Sequence, residues 1–211
     1  MKNDMADSVL KTLRQNNFDV YWAESAEQAG ELFFAEIMPA LKPQTVSWGD
    51  SMTMRAANVL EKISADPDIV LIKPFDKNYS AAQKLYWRRA ALGCDLFLSG
   101  VNALTKKGQL INLDMVGNRV GAITFGPKNV VLFVGVNKIV EDLDAAFARI
   151  KSVAAPQNAA RHENFHTPCQ KTGECMDCHS PDRICNTWVI TEKSWPKGRI
   201  KIVLINEKLG L

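Results

Sequence analysis

The run NVVLFVG, Asn129–Gly135, sets five apolar residues in a row with no polar residue among them. A strand with one wet face alternates apolar and polar positions, because successive side chains point to opposite sides. An unbroken apolar run therefore predicts a strand covered on both faces, the habit of a parallel sheet between layers of helix.

The rest of the chain supplies such layers. Helical spacing over residues 6–15, with Val9, Leu10 and Leu13 on one face, precedes the strand-like FDVYW. Ser25 is placed to cap a helix over residues 26–41, with Gln28 at capping-box distance and Pro43 as its stop. QTVSW, IVLIK and CDLFLSG read as strands separated by helices over 53–65 and 81–92. GQLINLD, turned by Lys107–Gly108, reads as a further strand, residues 142–155 as a long helix, and RIKIVLINEKLGL as a closing strand. The expected fold is α/β, a mostly parallel open sheet with helices on both faces.

At 211 residues the chain suits one domain, 1–211, large enough to bury a core without staples. A net charge of +3 and short basic pairs such as Arg88–Arg89, read as solvated surface, argue against a nucleic-acid partner. The N-terminal stretch carries acids early and no apolar core run, so no signal peptide is expected, and no window has the apolar length of a membrane span. A cytoplasmic protein is expected.

Ligands of such folds gather at the carboxyl ends of strands. Three stretches occupy positions of that kind. In SWGDSMTM, Gly49, Asp50, Ser51 and Thr53 stand between a strand and a helix, where open amides and hydroxyls hold a phosphate or carboxylate; a tight turn with a Ser or Thr cap would use the same residues. Residues 93–122 are rich in turn-forming Asn, Asp and Gly, and include Asn102, Asn118 and Arg119. A guanidinium at a helix start suits bidentate recognition of a carboxylate or phosphate. In VGVNKIV, Lys138 follows the most apolar strand, as an anion ligand or a surface cation.

The run LSGVNALTKKGQLINLDMVGNRVGA, followed by GPKNVVLFVGVNKIV, resembles the LUD family, the domain named after bacterial lactate-utilization proteins. The resemblance spans residues 6–211. It implies a fold similar to ribose-5-phosphate isomerase, glucosamine-6-phosphate deaminase and the CoA transferases. WGDSMT resembles their phosphate loop without its fuller Gly-x-Gly-Ser-Thr form, and no glutamate matches the transferase nucleophile, so transferase activity is not implied. What is implied is a part in oxidation of lactate or a related small organic acid, beside iron–sulfur protein subunits, as an oxidoreductase component whose own reaction is unassigned.

Four of the five cysteines fall within seventeen residues as C-x5-C-x2-C-x6-C: Cys169, Cys175, Cys178 and Cys185. In a reduced compartment two disulfides are disfavoured, and a Cys-x-x-Cys turn aims two thiolates at one point. Pro168, Gly173 and Pro181 punctuate the segment into turns with no room for a helix. The expectation is a cysteine-rich insertion over 161–190, outside the sheet, that ligates one metal centre. A [4Fe–4S] cluster and a Zn²⁺ ion both take four thiolates; the cluster is slightly preferred for the redox setting that the resemblance supplies. Cys94, at a strand start, is expected as a small buried hydrophobe. Two functions stay open: a redox component binding a small anionic metabolite, and a non-catalytic binding or regulatory subunit with structural zinc. The oligomeric state is not legible.

Overall fold

A computed structural model describes residues 4–211; residues 1–3, the first of the stretch read for a signal peptide, lie outside the described residues. The chain begins with α1 (Asp4–Gln15) and β1 (Asp19–Ala23). A long helix follows, made of α2 (Ala26–Leu32), a π-helical turn (Phe33–Ile37) and α3 (Met38–Leu41), and leads to β2 (Thr45–Trp48). Next come α4 (Met52–Ala56), α5 (Val59–Ala65), β3 (Val70–Leu71), α6 (Ala81–Ala90) and β4 (Leu96–Gly100). β5 (Ala103–Thr105) and β6 (Leu110–Asp114) form a hairpin, and α7 (Asn118–Thr124) leads to β7 (Asn129–Gly135). After β8 (Ile139–Val140), a second long helix is assembled from α8 (Leu143–Arg149), a π-helical turn (Ile150–Ala154) and α9 (Ala155–Ala160). The cysteine segment contains α10 (Cys169–Thr172), and β9 (Thr187–Thr191) and β10 (Ile200–Ile205) close the chain.

Six strands form a wholly parallel sheet in the order β1-β10-β7-β4-β2-β3. The apolar run of β7 lies between β10 and β4 and is covered on both faces, as its composition requires. Val130, Leu132 and Val134 join a core with Leu10 and Leu13 of α1 and Ile123 of α7. Val131 and Phe133 point the other way, against Phe33, Ile37, Met54 and Ile63.

Both long helices widen at the residue before a proline. The amide of Met38 reaches back five residues to Phe33 O, and that of Ala155 to Ile150 O. Pro39 and Pro156 have no N–H to donate and their rings crowd the preceding turn, so a π-helical turn lets each helix continue. The expected helix over 53–65 breaks at Asn58, whose φ is +50°. Ser25 caps α2 at the amide of Gln28, but the Gln28 side chain accepts from Glu24 N; the full capping box forms at Ser80 and Gln83 of α6.

A second sheet, ordered β8-β5-β6-β9, adds to the parallel one. GQLINLD supplies β6, which pairs antiparallel with β5 and β9 rather than entering the parallel sheet. The stretch read as an insertion outside the sheet ends in β9, packed through Trp188 on Phe147 of α8 with ring centroids 4.9 Å apart. The same stretch does hold one turn of helix, α10, because Pro168 suits a helix start and Gly173, with φ of +74°, closes it. The last strand ends at Ile205, and residues 206–211 run as a tail over the start of α4.

Candidate functional site

A cleft of about 260 Å³ opens over the carboxyl ends of β2, β4 and β7. Asp50 and Ser51 reach it from the turn after β2, Asn102 from beyond β4, Asn118 and Arg119 from the start of α7, and Lys138 from the turn after β7. These six expected residues share one cavity. Its volume has room for a metabolite of a few carbons.

Arg119 is buried at the back of this cleft, and its guanidinium is already spoken for by the protein. Nη1 donates to Asn112 Oδ1 at 2.7 Å and Gly100 O at 3.2 Å; Nη2 donates to Leu113 O at 2.9 Å and Asn102 Oδ1 at 3.0 Å. Nε lies 3.8 Å from Asp114, whose carboxylate also accepts from the amides of Arg119 and Val120. Burial lowers the Arg119 pKa, with Asp114 and Asp50 opposing that shift. With four hydrogen bonds made, the side chain clamps the end of β4 to the β5–β6 hairpin. Asn102 is equally engaged, accepting from Arg119 and from Leu113 N.

The turn at 49–53 is shaped chiefly by packing. A Cβ at Gly49 would lie 2.7 Å from Arg119 Cγ and 2.9 Å from Ser99 Oγ, and one at Gly100 would lie 2.5 Å from Ser51 Oγ. Glycine is required at both because neighbours come so close. Ser51 caps α4 by accepting from Met54 N, and Thr53, buried, donates to Leu209 O of the tail. The hydroxyls therefore serve the turn and the tail.

The charges that remain differ in how far they are committed. Asp50 binds Arg55 at 2.9 Å and Arg161 at 3.0 Å, tying α4 to the end of α9. Lys138, 4% exposed, donates to Val101 O at 2.9 Å. Burial, with the like charges of Arg149 and Arg119, brings its amine down to about 7. Arg88 corrects the surface reading of the Arg88–Arg89 pair: it lines the cleft with its guanidinium 5.5 Å from the Phe75 ring centroid, while Arg89 is exposed. Among the described residues no acid pairs with Arg88, and its buried Nε has no hydrogen-bond partner. Arg55, Arg88, Arg161 and His162, all on the cleft, carry no sequence signal of their role; each comes into place through tertiary packing alone.

The four clustered cysteines line a second, small cavity of about 20 Å³, with Ala155, Pro156 and Met176 as apolar neighbours. None is in a disulfide. Arg183 braces the segment by donating to Cys178 O at 2.7 Å and Cys185 O at 3.0 Å. Burial raises the Cys185 pKa; Arg183 pulls it back, and Cys175 and Cys178 push it further up. Gln170 fastens the segment to α9 through Ala159 O and His162 O, both at 2.9 Å. As arranged, no three His, Cys, Asp or Glu side chains among the described residues form a ready-made ion site. Buried Ile184 borders this cavity on one side and the large cleft on the other. Cys94 is 1% exposed, with burial pushing its thiol up to about 12. It is inert filling of the core.

Among the described residues no helix is long and apolar enough to cross a membrane. A family model described as the LUD domain matches residues 6–205. A comparison with curated proteins gives no match. Among solved structures, the chain is similar to a DUF162 family protein from Deinococcus radiodurans, crystallised at 1.70 Å resolution, with a TM-score of 0.53 and 12% identity over 96% of each chain. At that identity the likeness speaks for the fold.

Proposed function

This chain belongs to the LUD domain family, which makes it a lactate-utilization-related protein, and from that premise we propose that it binds a small anionic organic acid beside a metal centre held by Cys169, Cys175, Cys178 and Cys185. The role is that of a component in oxidising such an acid or carrying its electrons, with iron–sulfur protein subunits as partners. The observation that carries this reading is the shared wall: Ile184 belongs to both the cationic cleft and the cysteine cavity. Four unpaired thiols around one largely apolar cavity are the donor set that a [4Fe–4S] cluster or a Zn²⁺ ion takes. The cluster is preferred, since it would supply one-electron transfer next to the bound acid.

A second reading, a non-catalytic binding subunit with structural zinc, is favoured by one observation. Asp50 is engaged with two arginines and Asp114 with the start of α7, so neither side-chain carboxylate stands ready as a base. Titrating pyruvate into anaerobically prepared protein while recording its visible spectrum separates the two. The first reading expects a coloured protein whose sulfur-to-iron absorption changes saturably with pyruvate. A colourless protein with one zinc per chain decides for the second, since a d¹⁰ ion absorbs no visible light. Pyruvate binding that leaves the colour untouched contradicts a working link between cleft and centre.

A further inference from the structure

We propose that Arg88 is the residue that receives the carboxylate of the ligand in the cleft. This rests on the reading of the cleft as a small-acid site and names the group that makes it one. The other cations there have protein partners. Arg119 makes four hydrogen bonds to protein acceptors, Arg55 and Arg161 share Asp50, and Lys138 donates to Val101 O. Arg88 alone among them has neither an acid nor a hydrogen-bond acceptor among the described residues, and its Nε is buried in that state.

Nε is closed off, so a ligand would be met by the terminal nitrogens of a guanidinium that lines the cleft and has no protein acceptor of its own. The position of the guanidinium also favours such a ligand. Phe75 lies against it at 5.5 Å, and Phe75 is itself packed on Trp48 with ring centroids 6.1 Å apart. A guanidinium held over a ring keeps its N–H edge free, and that edge matches the two oxygens of a carboxylate. The remainder of a short acid would then lie along Val101, Leu113 and Ile184, with Lys138 as the second cation.

Calorimetric titration with pyruvate and, separately, inorganic phosphate tests this on the full chain and on Arg88→Ala, Arg88→Lys and Arg89→Ala. No residue of α6 is fully buried and Arg88 makes no hydrogen bond to the protein, and melting temperatures recorded for each variant separate a loss of binding from a loss of fold. The parent binds pyruvate. Arg88→Ala weakens it by about tenfold or more, the range of one charge-assisted hydrogen-bonded pair. Arg88→Lys restores only part, because a single ammonium lacks the fork, and Arg89→Ala behaves as the parent. Equal pyruvate affinity in the parent and Arg88→Ala overturns the assignment while leaving the cleft as an acid site. A parent that takes phosphate and no pyruvate overturns the choice of a carboxylate. A parent that binds neither removes the cleft reading, and this inference with it.

Discussion

Lys138 faces the same cleft as Arg88, and its charge depends on pH. The Lys138 amine, brought to about 7 by burial and by Arg149 and Arg119, is an ammonium below that pH and neutral above it. A carboxylate ligand stays ionised through this range and is attracted by the charged form only. Pyruvate affinity is therefore expected to fall as pH rises through 7, and calorimetry on either side of that value reads it. Lys138→Met tests the assignment by flattening the dependence. The arginine pair shows where single residues stop being legible. Neighbours on a helix point about 100° apart, so Arg88 can enter a cleft while Arg89 stays in water. Which of them does so depends on Phe75, thirteen positions away in the chain and brought near only by the fold.

Elements are easier to read, and their joints harder. The parallel strands announced themselves because burial on both faces demands apolar runs, unbroken in β7 and interrupted only by Lys201 in β10. β5 and β8, three and two residues long, carry no period of their own and exist through pairing with partners elsewhere in the chain. β9 was masked by its position after the cysteines. Arg119 is one of these joints. Its chemistry was visible in the sequence as a fork beside Gly and Asn, and the fold gives that fork acceptors on Gly100, Asn102, Asn112 and Leu113. Arg119→Lys leaves several of those buried oxygens without donors, so urea unfolding is expected to show a loss of about 2–4 kcal/mol. A stability equal to that of the parent would show that the clamp does little.

For the whole molecule, the sheet places the carboxyl ends of its strands along one edge, and the four-cysteine segment folds back onto α9 so that its cavity abuts the cleft above that edge. The cysteine spacing and six of the cleft residues were readable as separate features. Their adjacency was not, because it rests on tertiary packing: Ala154 lines the cleft, Ala155 and Pro156 line the cysteine cavity, and Ile184 lines both. The account stands or falls on whether those thiols hold a metal. The direct measurement is iron, acid-labile sulfide and zinc per chain in anaerobically purified parent and Cys178→Ser protein. We expect iron and sulfide in equal amounts in the parent and neither in the variant, since losing one thiolate of four opens the site. A parent that holds no metal, or a Cys178→Ser variant that keeps the parent's full content, contradicts the account.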